Sequence, residues 1–208
     1  DADALHYVAG LHTRDHEPLH TAGITTMAAL GNHTHDVPAD VDPDRFARLV
    51  RQARLQKEAA ELQTVPFEII EPVDVPSVAL GFAAMPQPDD GDVFLDYEGH
   101  PFWSAKDDLF FLFGLWLRGD DGTWHYDARW AHDKAQEREQ TGALIEFFRQ
   151  RRVRYPGMHV YHYNHTERSA LERLARDHVI GEAALDELVQ TGQFVDLYPV
   201  VMQSIVVG

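Results

Sequence analysis

Val93-Phe94-Leu95-Asp96-Tyr97-Glu98 is the stretch on which the fold turns. An apolar run ends in two acids separated by one residue. Side chains alternate with period 2 along a strand, so Asp96 and Glu98 share a face of one rigid element. Two adjacent carboxylates repel unless a positive group holds them together, and Mg²⁺ or Mn²⁺ prefers oxygen ligands of this kind. Gly99-His100-Pro101 then leaves the strand, and sites in α/β proteins gather at strand ends. The pair therefore predicts a divalent-metal site of the type that hydrolyses phosphodiesters. The plainer alternative is a polar strand end with two solvated acids.

Downstream, Leu109 to Trp116 reads as a buried strand with Trp116 in the core, and Gly119-Asp120-Asp121-Gly122 as a hairpin turn. Thr123 to Tyr126 returns as a third strand. A helix is expected from about Asp133 to Arg152, with Leu144, Ile145 and Phe148 inward. Met158 to Tyr163 is the next strand and Thr166 to His178 the next helix. A three-strand meander followed by helix, strand and helix is a mixed α/β pattern.

Upstream of Val93 the pattern changes. Residues 1–63 read as helical. Gly23 ends one short helix, Thr25 and Thr26 cap the next, and the segment loosely resembles a helix-hairpin-helix. Asp42-Pro43 opens a longer helix in which Arg45, Arg48, Arg51 and Arg54 recur every third residue, either as a solvated face or as phosphate contacts. His12, His16 and His20 would align for a metal on a continuous helix, which Pro18 is expected to interrupt. Residues 64–91, with Pro66, Pro72, Pro76, Pro86 and Pro88, read as an extended connector, and residues 92–208 as a second domain.

Two further acids sit where apolar strands hand over to helices. Asn164 and Glu167 have the spacing of a capping box, while Glu167 could equally reach a metal from the first helical turn. Asp196, after Phe194 and Val195, either completes an acidic cluster or caps the helix holding Leu197, Val200 and Val201. His165 is a candidate phosphate contact. Arg149, Arg151, Arg152 and Arg154 form a basic cluster at a helix C-terminus, where the helix dipole also favours positive charge.

The chain has 208 residues, no cysteine, 44% hydrophobic residues and a net charge of −16. The missing cysteines exclude disulfides, thiolate zinc sites and cysteine nucleophiles, and fit a reducing, cytoplasmic setting. The acidity argues against a surface that grips nucleic acid everywhere, yet a metal-dependent nuclease needs only a local basic patch. No segment has the apolar length of a membrane span, and no signal peptide is evident.

Val93 to Gly99, Val160 to Leu171 and Val195 to Ser204 together resemble the ribonuclease H-like, three-prime-to-five-prime exonuclease fold (the DEDD exonuclease superfamily). More narrowly, they are similar to the C-terminal domain of bacterial RecB-like nucleases, related to the YprB ribonuclease H-like group. The resemblance implies a mixed sheet flanked by helices and Mg²⁺ or Mn²⁺ held by Asp96, Glu98, Glu167 and Asp196. It also implies a DNA or RNA substrate, with a single-stranded end favoured, for which Asn164, His165, Arg149, Arg152, Arg45 and Arg48 are the candidate contacts. Asp96 and Glu98 match the family's Asp-x-Glu, and Asn164 and Glu167 its second motif. Here Glu167 stands where most members have Asp, and Thr166 where an aromatic is usual. The resemblance further implies a RecB-like region upstream and a final acidic motif beyond Gly208, so the domain is expected to be incomplete. A noncatalytic nucleic-acid-binding or interaction domain of a larger nuclease or helicase-related protein is the competing expectation.

Overall fold

The computed structural model describes residues 3–71, 73–75, 78–105 and 107–208. It divides into two compact units, Asp1–Ala83 with Val201–Gly208, and Ala84–Val200.

The first unit opens with a 3-10 turn, Leu5–Tyr7, then α1 (Thr13–Thr21), α2 (Met27–Gly31) and α3 (Pro43–Leu62). Local chemistry sets each start. The Thr26 hydroxyl accepts from Ala29 N at α2, and Asp42 Oδ1 from Arg45 N at α3, with Pro43 in the first turn. Gly23, at φ +77°, takes the left-handed turn between α1 and α2 that any other residue would adopt at a cost. α1 runs through Pro18 rather than breaking there. Leu5, Leu19, Met27, Leu30, Phe46, Leu49 and Ala53 close one core.

The 64–91 stretch, expected as a connector, carries β1 (Phe67–Ile69), β2 (Val73–Val75), β3 (Val78–Leu80) and a short 3-10 turn. β2 and β3 pair with each other, and β1 pairs antiparallel with β9 (Ile205–Val207). Pro72 and Pro76, part of the connector pattern, lie outside the described residues.

The second unit holds β4 (Val93–His100), β5 (Leu109–Arg118), β6 (Trp124–Trp130), α4 (Lys134–Arg154), β7 (Val160–His162), α5 (Thr166–Asp177), α6 (Glu182–Gln190) and β8 (Phe194–Asp196). α7 (Leu197–Ser204) follows directly. The sheet order is β6-β5-β4-β7-β8, with β4, β7 and β8 parallel and β5 and β6 antiparallel. This is the expected α/β architecture of a mixed sheet with helices.

Alternation decides the two faces. Val93, Leu95 and Tyr97 of β4, with Phe113, Leu115 and Leu117 of β5, pack in one core with Leu144, Ile145 and Phe148 of α4 and Leu171 and Leu174 of α5. Phe94, Asp96 and Glu98 point the other way. Trp116, expected in the core, is 45% exposed, because it alternates with the inward Leu115 and Leu117. It stacks on Trp124 across the β5–β6 pair, and Phe94 stacks on Tyr161. The hairpin forms at Gly119–Gly122, where Asp121 Oδ1 accepts from the Thr123 amide and hydroxyl.

Candidate active site

Asp96 and Glu98 lie along β4, Asp196 ends β8 and Glu167 falls in the first turn of α5. Asp96 lies opposite Gly114 and Glu98 opposite Leu112 on β5. The Tyr126 hydroxyl lies over Gly114, 2.2 Å from where a Cβ would stand, so a larger residue there would displace that exposed side chain. Parallel pairing of β7 beside β4, and of β8 beside β7, sets His162 against Asp196. Asn164, at φ +71°, turns the chain from β7 toward α5, and Glu167 falls in the first turn of that helix.

The turn is tied by two bonds. His162 Nδ1–H donates to the Asn164 carbonyl at 2.6 Å, and Asn164 N–H donates to Asp196 Oδ1 at 2.8 Å. Because a carbonyl only accepts, the His162 proton sits on Nδ1. Asp196 Oδ1 also accepts from Tyr198 N at 2.8 Å, so the residue caps the next helix as well. Both bonds fall on Oδ1, and Oδ2 has no donor among the described residues.

The capping-box reading of Glu167 does not hold. The N-cap position is His165, without a side-chain cap bond, and Asn164 Oδ1 instead accepts from His165 N and pairs with His165 Nδ1, both at 2.7 Å. Glu167 is only 8% exposed, and its Oε2 has no hydrogen-bond partner among the described residues. The His162 ring stands beside it, with Nδ1 3.8 Å from Oε2. Burial pushes the Glu167 carboxyl above its ordinary 4.5, the negative charges of Asp96 and Asp196 push it further, and its own backbone amide and His162 oppose them. Asp96 and Asp196 are therefore each within electrostatic reach of Glu167.

Residues 93–207, more than half of the chain, match the family model described as the RNase H superfamily. The chain belongs to the RNase H superfamily. At the level of that fold family, membership supports nuclease-type activity and nucleic acid as the general class of partner. No curated protein and no solved structure matches the chain.

The donor set suits a hard divalent cation, being oxygen only with one buried, unpaired carboxylate oxygen. Among the described residues, no three His, Asp or Glu side chains stand at the separation of a ready metal shell. The chemistry and charge of the site thus fit a cation, and its ligands would have to draw together around one. Glu98, two residues beyond Asp96 on the open face, is exposed.

The arginines expected at phosphates are engaged within the chain. Arg45 binds Asp15 and the Gly10 carbonyl, Arg48 donates to the Ile205 carbonyl, Arg149 grips Glu146 through two bonds, and Arg152 pairs with Glu187. His165 is exposed beside Asn164. Phe102 and Trp103 lie exposed in the turn after β4.

His162, whose opposite register from Tyr161 and Tyr163 is legible in the sequence, turns inward and lies beside Glu167, a placement the sequence did not assign to the site. No described helix is long and apolar enough to cross a membrane.

Proposed function

We propose that this chain carries the metal-dependent phosphodiesterase site of a nuclease, acting three-prime to five-prime on a single-stranded DNA or RNA end. The narrower affinity is with the RecB-like, YprB-related group. One observation carries the reading: Glu167 is buried with Oε2 unpaired, beside Asp96 and Asp196. Unsatisfied buried carboxylates are costly and are retained where they do chemistry.

Asp96, Glu167 and Asp196 would hold Mg²⁺ or Mn²⁺, with Glu98 adjoining from the same strand. A divalent cation there supplies Lewis-acid activation of water and stabilises charge on the leaving oxygen. The chain's own residues set the geometry. Asp96 is fixed by its pairing opposite Gly114 of β5. Asp196 is oriented by two amides on Oδ1, and His162 is locked in one tautomer by the Asn164 carbonyl. Exposed Phe94 and Trp116 share the Asp96 face and offer flat surfaces to unpaired bases.

The test is Mn²⁺-dependent shortening of end-labelled single-stranded DNA and RNA by this chain and by Asp96→Ala. The expected result is cleavage that falls at least ~100-fold in the variant. Cleavage that persists in Asp96→Ala would sink the assignment.

A further inference from the structure

β1 and β9 form a two-stranded ribbon in the first unit, and its two edges differ. The β9 edge is closed by α3: Arg48 donates to the Ile205 carbonyl and Gln52 to the Val207 carbonyl. Between the strands, Gly208 N–H donates to the Pro66 carbonyl and Ile70 N–H to the Ser204 carbonyl. Backbone groups alternate in direction along an antiparallel pair, so Pro66, Glu68 and Ile70 face β9 while Phe67 and Ile69 face away. On that outer edge the amides and carbonyls of Phe67 and Ile69 have no partner among the described residues.

Side chains add to the opening. Val65, Phe67 and Ile69 are each more than three-fifths exposed, and Val207, opposite Phe67, is exposed beside them. Edge strands that stay single are commonly blunted by a charge or a proline at the opening. Here Pro66 faces β9, and Glu68 points to the other face of the ribbon, where Arg54 holds it. Arg51, Arg54, Glu68 and Glu71 line one groove there. Its two cations and two anions balance, so a second copy meets no local excess of one sign, although the chain as a whole carries −16.

We infer that β1 is a dimerisation edge, pairing antiparallel with β1 of a second copy about a two-fold axis. Antiparallel pairing of identical strands is self-complementary, as a closed dimer requires. An axis on Phe67 sets that residue against the partner's Phe67 and pairs Val65 with the partner's Ile69. The exposed apolar faces then join in one stripe, and Glu68 stands opposite the partner's Pro66. An axis on Glu68 would instead set two carboxylates face to face, which is destabilising.

The test is sedimentation velocity of the whole chain over a concentration series, with amide hydrogen exchange on the same samples. Wild type is expected to dimerise reversibly at ~10–100 µM, the regime of a small interface. Protection of the Phe67 and Ile69 amides should rise with concentration, while the Glu68 amide, already bonded within the ribbon, stays unchanged. Ile69→Pro removes the outward donor, at a position where an edge strand accepts proline. It should weaken the dimer at least ~10-fold, with a melting temperature within a few degrees of wild type. Phe67→Lys leaves the backbone donors in place, sets a charge on the same edge and should act alike. A wild type that stays monomeric to about 1 mM overturns the inference and leaves the edge to a strand of another polypeptide. Dimerisation of both variants at the wild-type concentration, or exchange at Phe67 and Ile69 that ignores concentration, overturns it as well.

Discussion

Glu137 and Glu167 occupy the same place in consecutive helices of the sheet unit, the first turn, and both are buried. Their surroundings are opposite. Glu137 Oε1 accepts the Phe110 amide at 2.8 Å, and Oε2 accepts Lys134 Nζ and His178 Nε2, each at 2.8 Å. Asp108 extends the network, binding Lys134 at 3.3 Å and Arg173 at 2.6 Å. The arrangement fastens the start of β5 to α4 and α5, and both carboxylate oxygens have donors. Glu167 has an unpaired oxygen and two acids for neighbours. Burial alone does not mark a functional carboxylate; what distinguishes the two is whether the protein has satisfied the charge.

The sharpest way to break this contrast is Glu137→Ala, which leaves Lys134, His178 and the Phe110 amide facing a gap. It is expected to cost about 3 kcal/mol, measured by urea denaturation at pH 7. A loss below about 1 kcal/mol would mean that the network does not fasten the fold.

Glu167→Gln should act in the other direction. Removing a charge that the fold leaves unpaired is expected to stabilise the metal-free protein by about 1 kcal/mol at pH 7 in the same assay. The folded carboxyl titrates above 4.5, so the folded state holds a proton that the unfolded chain has released. Stability from this group is complete below pH 4.5 and lost as the pH rises through the folded value. The advantage of Gln should therefore shrink toward pH 4. A destabilising Glu167→Gln at pH 7 would show that the carboxylate is satisfied after all.

Asp15 sharpens the comparison from the first unit, with the smallest expected effect. Its bond to Arg45 holds the carboxyl below its ordinary 3.8, with the His12 amide adding to the effect. Its stabilisation is present above pH 3.8 and lost as the pH falls through the depressed folded value, the reverse of Glu167. Asp15→Asn should cost about 0.5–1 kcal/mol at pH 7, since Arg45 is partly exposed, and little near pH 2. Equal costs at both pH values would remove the ion pair as the cause.

Much of this was legible locally. The Asp42 and Asp133 caps, the Gly119–Gly122 hairpin and the inward face of α4 follow from residue types a few positions apart. The Asp-x-Glu alternation placed Asp96 and Glu98 on one face of β4. Other features were not legible. Trp116 read as core because an apolar run does not announce which side of a sheet is left open. The Asn164–Glu167 spacing suited a capping box, but Asp196 takes the Asn164 amide, and His165 takes the Asn164 side chain. Nothing near Glu137 in sequence identifies Phe110 or His178 as its partners.

The sequence by itself therefore determined the main strands and helices of the sheet unit, the inward face of α4 and the placing of two acids on one strand face, because these depend on backbone sterics and alternation over a few residues. Only the tertiary structure decided that β7 enters between β4 and β8, setting His162 against Asp196 and placing Asp96 and Asp196 within electrostatic reach of Glu167. Strand order is set by which apolar faces bury best together, a property of the whole sheet that no local spacing encodes.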